Sequence, residues 1–163
     1  MAIREVRIFG DPVLRSVCDP IVVGDARVTS LVDDLLDTVE VPGRAGLAAN
    51  QIGVALRAFS YNVDGEKGYI LNPELVEASG AFLAVDEGCL SVPGFYFPRP
   101  RFEFAAVSGI DLMGEPLLLS GNGLIGQVLQ HELDHLNGHL FIEDLEPTQK
   151  REAMRLIRQA PWY

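Results

Sequence analysis

Apolar positions along this chain recur with two different periods. In "DARVTSLVDDLLDTVE", Val28, Leu31, Val32, Leu35, Leu36 and Val39 return every three or four residues, with acidic residues between them. That spacing predicts an amphipathic helix packed on a core. The same period appears at Leu124, Ile125, Val128, Leu129, Leu133 and Leu136, which surround most of a helix and predict a buried one. Gly123 or Asn122 can start it, and Asn137-Gly138 supplies a left-handed stop. A third helix, roughly Thr148 to Gln159, is led by Met154, Leu156 and Ile157, and a short one opens at Pro12 with Asp11 as its cap. The remaining apolar runs are shorter. "ALRAFSYNV" and "GYILNP" read as strands joined near Asp64-Gly65, and "LVEAS", "FEFAAVSGIDL" and "PLLLS" follow Pro73, the last two joined through "DLMGEP". "VPGRAGLAANQIG" fits neither period and carries Gly43, Gly46 and Gly53. No repeat, linker or low-complexity run divides the chain. The pattern predicts an α+β class in one domain, residues 1–163: small antiparallel β-sheets around a central buried helix, with a C-terminal helix.

Composition narrows the function classes. The 163 residues, 48% hydrophobic and 22% charged, suit a globular domain with a real core. No apolar run reaches the roughly 18 residues of a membrane span. The opening "MAIREVRIFGDPVLR" has no apolar segment like that of a secretion signal. No membrane partner is therefore expected. A net charge of −10 argues against generic attraction to nucleic acid or anionic lipid. Two cysteines, Cys18 and Cys89, are too few for a secreted disulfide framework, so both are expected as free thiols in a reducing cytoplasm, a single Cys18–Cys89 disulfide being the alternative.

The buried helix carries the chemistry. His131 and His135 are one turn apart on the same face, close enough to reach one metal ion, and Glu132 beside them can act as a general base. The alternative is a pair of ordinary core or surface histidines. Imidazoles and a carboxylate on a helix so apolar would cost several kcal/mol without compensation, which a metal provides. Asp134 belongs on the remaining polar side, as a salt-bridge partner or solvated. A catalytic site needs a third protein ligand. His139 lies beyond the Gly138 stop and is expected to point elsewhere. Cys89, 42 positions before His131 (131 − 89), stands in the Gly- and Pro-punctuated "VDEGCLSVPGFYF". It is either a ligand or a small buried hydrophobe.

Three blocks, "GLAANQIG", "EGCLSVPG" and "QHELDHLNG", stand in an order and spacing that resemble the peptide deformylases, with likeness running from "GDPVLR" to the last helix. The resemblance implies a metal-dependent hydrolase that removes the N-formyl group from the starting methionine of nascent polypeptides and releases formate. It implies Cys89, His131 and His135 as metal ligands and Glu132 as the base. Gln51, through its side-chain amide, and Leu90, through its backbone N–H, would hold the carbonyl oxygen. Gly46 would pair with the substrate backbone, and Glu87 and Arg101 would form a buried ion pair. Fe(2+) is the implied metal, with Zn(2+), Ni(2+) or Co(2+) able to replace it. Val85, Leu124, Val128 and the apolar edge of His131 are candidates for the methionine slot. N-formylmethionyl peptides are the implied partners of a monomeric cytoplasmic enzyme.

Some positions depart from the family pattern. Arg44 stands where a glycine is usual or is an inserted residue, Gln127 stands where an apolar residue is common, and Tyr96 where some members have arginine. A metallopeptidase using Glu143 or Asp144 as third ligand, or an inactive relative that binds nascent chains, would share part of the motif set. From Thr148 to Tyr163 the chain has four cationic residues and one acidic one, a local charge of +3 (4 − 1), leaving −13 elsewhere (−10 − 3). That segment is either a basic handle for the ribosome or a solvated helix face.

Overall fold

The computed structural model describes residues 2–163. The first regular element is a 3-10 turn, Pro12–Arg15, whose Asp11 side chain accepts from the Val13 N–H. Helix α1, Ala26–Val39, is capped in the same way by Asp25. Five strands follow: β1 (Gly46–Ala48), β2 (Ala58–Val63), β3 (Glu66–Cys89), β4 (Val92–Ile110) and β5 (Pro116–Asn122). A 3-10 turn, Ala49–Ile52, separates β1 from β2. Helix α2 is Leu124–Leu136, and α3 is Pro147–Ile157 after a 3-10 turn at Phe141–Asp144.

The strands form a single antiparallel sheet in sequence order, β1-β2-β3-β4-β5. The several small sheets of the sequence reading are thus one continuous ladder. Hairpin β2–β3 turns at Asp64 and Gly65, both at positive φ, as the favoured two-residue turn requires. Pro73, which separates "GYILNP" from "LVEAS" in the sequence, lies inside β3. A register shift between Leu71 and Glu74 leaves the residue without an N–H outside the ladder, so the strand continues. Further shifts along β3 and β4 bend this long hairpin until Cys89 pairs with Val92 across the two-residue turn Leu90-Ser91.

Alternation along the strands divides the interior into two layers. Leu47, Ala58 and Leu71 face α1 and pack with Leu31, Val32, Leu35 and Val39. Their neighbours Ala48, Phe59 and Ile70 face the other way and pack with Leu129, Leu133 and Leu136 of α2. Helix α2 approaches the sheet closely because Gly126 has no side chain. A Cβ there would stand 2.8 Å from the carbonyl oxygens of both Glu103 and Gly121. A third cluster joins Leu14, Val92, Phe141 and Ile142 to Ala153 and Ile157 of α3, and the Trp162 indole N–H donates to the Pro93 carbonyl at 3.0 Å. Cys18 and Cys89 are both free and buried. No helix among the described residues is long and apolar enough to cross a membrane.

Candidate metal centre

Three elements meet at one point. Helix α2 presents His131 and His135 one turn apart. Their Nε2 atoms lie 3.1 Å from each other. The end of β3 brings the Cys89 sulfur to 3.2 Å from His135 Nε2. All three donor atoms fall within 4.8 Å of one another. The third element, the turn after β1, places Gln51 against the same sulfur, with its Nε2 at 3.6 Å. Divalent ions bind sulfur and imidazole nitrogen at roughly 2.0–2.3 Å, so donors this close fit a common ion. Their chemistry, one thiol and two imidazoles, suits a borderline-soft transition metal.

The His131 ring is held from behind. Its Nδ1 is 2.6 Å from Glu87 Oε1, which fixes the ring and turns Nε2 toward Cys89 and His135. Glu87 is in turn gripped by Arg101, with Nε at 2.8 Å and Nη2 at 2.7 Å, and Arg101 also donates to Asp134 at 2.6 Å. Burial opposes ionisation of Glu87, but the Arg101 and His131 hydrogen bonds overrule it and hold its carboxyl well below the usual range. Burial would also lower the pKa of His131. The Cys89 sulfur and Glu87 outweigh it and raise that pKa well above the ordinary histidine value. His135 has no such support, and burial followed by repulsion from His131 holds it well below that value.

Glu132 is buried next to the histidines, and its Oε2 has no hydrogen-bond partner. Burial pushes its carboxyl up to about 7. Gly46 passes so close that a Cβ there would collide with the Glu132 carboxylate and come within 2.9 Å of the Val128 side chain. The Gln51 amide is oriented unambiguously. Its Oε1 accepts from the Ala48 N–H at 2.9 Å, so its NH2 group must face Ser91 Oγ, at 3.1 Å, and Cys89. A cavity of about 410 Å³ opens over this cluster, lined by Gly46, Gln51, Cys89, Leu90, Leu124, Val128, His131 and Glu132. Arg44, Tyr96 and Gln127 also line it, and Arg44 Nη1 donates to the Thr38 carbonyl at 2.8 Å.

Among the expected site residues, His135 lies beneath this lining, against the Cys89 sulfur, and Val85 is absent from it. Val85, on β3, pairs with Arg99 and stands one position before Asp86, where the lining of the cavity begins on that strand. His139 turns away to Glu143 at 3.2 Å. Glu143 also meets Arg15 at 3.1 Å, and Asp144 meets Arg99 at 2.8 Å, so these alternative ligands are committed elsewhere. Sequence reasoning gave no role to Ser91, whose hydroxyl faces Gln51 and whose N–H points at the Cys89 sulfur at 3.4 Å. Asn50 was missed as well; its Nδ2 donates to the His135 carbonyl at 2.6 Å and ties the turn to α2. Both stand inside the glycine-rich and cysteine blocks, and that proximity was the only signal available.

Comparison with known proteins gives one consistent result. The polypeptide deformylase family model matches residues 3–151. A peptide deformylase of Acidothermus cellulolyticus is 46% identical over 162 residues, 99% of this chain and 89% of that protein. Peptide deformylase 1 of Corynebacterium glutamicum is 42% identical over 167 residues, covering 100% of this chain and 99% of its own. The crystal structure of a peptide deformylase from Legionella pneumophila superposes with a TM-score of 0.89 at 38% identity, over 97% of this chain and 95% of that one.

Proposed function

The chain belongs to the polypeptide deformylase family, and from that membership we propose residue roles for the hydrolysis of N-formyl groups. The reaction is the removal of formyl from the N-terminal formylmethionine of nascent polypeptides, releasing formate. Cys89, His131 and His135 are the metal ligands. One observation carries this assignment: three buried donors from two elements converge within 4.8 Å, beside a buried carboxylate with an unpartnered oxygen. When bound, the metal supplies a Lewis acid that polarises the formyl carbonyl and lowers the pKa of water toward about 7. Glu132 takes the proton from the attacking water and delivers it to the departing amine. The NH2 group of Gln51, already aimed at the cysteine, and the N–H of Leu90 in the β3–β4 turn donate to the tetrahedral oxyanion. One such donor is typically worth about 2.7–4 kcal/mol in the transition state.

The methionine side chain enters the cavity beside Leu124, Val128 and the His131 ring. Strand β1 is an edge of the sheet, so the peptide beyond the methionine can add to it at Gly46 through main-chain hydrogen bonds. Fe(2+) is the metal we assign, with Zn(2+), Ni(2+) or Co(2+) able to take its place. Residues 1–163 act as one domain, monomeric and cytoplasmic, where formylated chains emerge. The test is formate release from formyl-Met-Ala by freshly purified, anaerobically prepared protein, with metal content measured on the same sample. Cleavage of an unblocked peptide instead, at the internal amide, would replace the deformylase assignment by that of a peptidase.

A further inference from the structure

Resting on the deformylase reading of this site, we propose that Gln127 widens the selectivity of the first-side-chain slot to a polar sulfoxide, that of oxidised formylmethionine. Gln127 lies on α2 three residues after Leu124 and four before His131, so it sits between the apolar mouth of the slot and a metal ligand. It lines the same cavity as Leu124 and Val128. Its Nε2 donates to Glu87 Oε2 at 3.3 Å. Glu87 already receives two N–H groups from Arg101 and faces His131 Nδ1, so it is an acceptor with a fixed position. A carboxylate cannot donate, which means that Gln127 must turn its NH2 group toward Glu87.

That anchoring uses one of the two N–H bonds. The second N–H and the amide oxygen have no other partner among the described residues. Leu124 and Val128 beside them have no polar side-chain atoms to offer. A thioether or an alkyl chain filling the slot would cover this N–H with at best a weak acceptor, the sulfur. A sulfoxide oxygen is a stronger acceptor and takes the hydrogen bond. In a wholly apolar slot the same oxygen would be buried without a partner, at a cost that rejects oxidised methionine. Oxidation turns an apolar side chain into a polar one of nearly the same length, which is the change that one added donor accommodates.

The test uses the metal-loaded full chain and three tripeptides: formyl-Met-Ala-Ser, formyl-norleucyl-Ala-Ser and formyl-methionine-sulfoxide-Ala-Ser. The quantity read is the ratio of kcat/KM for the sulfoxide to that for norleucine. In Gln127→Leu and in Gln127→Met, which keeps the length but lacks the N–H, this ratio should fall about five- to tenfold, the worth of one hydrogen bond, and the change should lie in KM. Calorimetric binding of the deformylated sulfoxide tripeptide should weaken by a similar factor without any turnover. A ratio within twofold of the wild type in both variants, or one retained by Gln127→Met alone, overturns the inference while leaving the enzyme a deformylase. Failure of the wild type to release formate from any of the three would overturn the functional reading and the inference with it.

Discussion

His131, His135 and Cys89 form a donor set whose members depend on one another more than on their own elements. The imidazole of His131 is useful only because Glu87 holds its far nitrogen, and Glu87 is tolerable inside the protein only because Arg101 meets it at 2.7 Å. Glu132 differs from these neighbours in having a carboxylate oxygen with nothing to bond. Two expectations follow at this scale. Glu132→Ala should retain the metal, as measured by elemental analysis, while formate release drops by at least 10²–10⁴-fold, the usual share of a general base. Loss of metal from that variant would make Glu132 a ligand. Cys89→Ser should lower metal content and activity together, because a neutral hydroxyl replaces a thiolate. Unchanged stoichiometry in Cys89→Ser would remove the cysteine from the metal's ligands.

At the scale of elements, the site depends on how closely α2 lies on the sheet. Its apolar stripe of Leu129, Leu133 and Leu136 packs on Phe59 and Ile70, and its N-terminal turn rests on backbone at Gly126. The atoms facing that glycine are carbonyl oxygens of Glu103 and Gly121, at 2.8 Å from an added Cβ, and backbone cannot swing aside as a side chain can. Gly126→Ala should therefore destabilise by about 1–3 kcal/mol despite the better helix propensity of alanine. Thermal unfolding would show this as a lower Tm. A Tm equal to or above that of the wild type would mean that the helix can lift without cost. Movement of α2 would also shift His131 relative to Cys89, so metal affinity should fall with stability in this variant.

At the scale of the whole molecule, charge is unevenly distributed. Residues 148–163 carry +3 on a chain whose total is −10. The structure gives these cations a surface: Lys150, Arg151, Arg155 and Arg158 line a groove of about 820 Å³ along α3, on which Met154 also opens. Arg155 is partly neutralised by Glu152 at 2.6 Å, whereas Arg151 is exposed. A basic groove on an acidic body suits weak, salt-sensitive attraction to ribosomal RNA, where the substrates emerge. Ribosome co-sedimentation at low salt should decline at high salt, and charge reversal at Arg151 and Arg155 should weaken it while formyl-Met-Ala is still hydrolysed. Wild-type protein that stays in the supernatant at low salt would dispose of this docking.

The sequence by itself determined the parts that depend on local spacing. The period of Val28 to Val39 specified α1, the i, i+4 pair specified that His131 and His135 share a face, and Asn137-Gly138 specified where α2 stops. The blocks around Cys89, Gln51 and Glu132 carried the resemblance to the deformylases, and the family match agrees with it. Long-range pairing was decided only by the tertiary structure. Register shifts in β3 and β4 merge the separate strand-like pieces on either side of Pro73 into one bent hairpin and carry Cys89 to the helix. A strand's position on a bent sheet depends on where bulges fall, and bulges depend on partners far away in sequence. Distance in sequence also hid the roles of Ser91 and Asn50 and the link from Gln127 to Glu87, which spans 40 residues. Hydrogen bonds between distant side chains leave no periodic trace in a single chain, so only the folded arrangement discloses them.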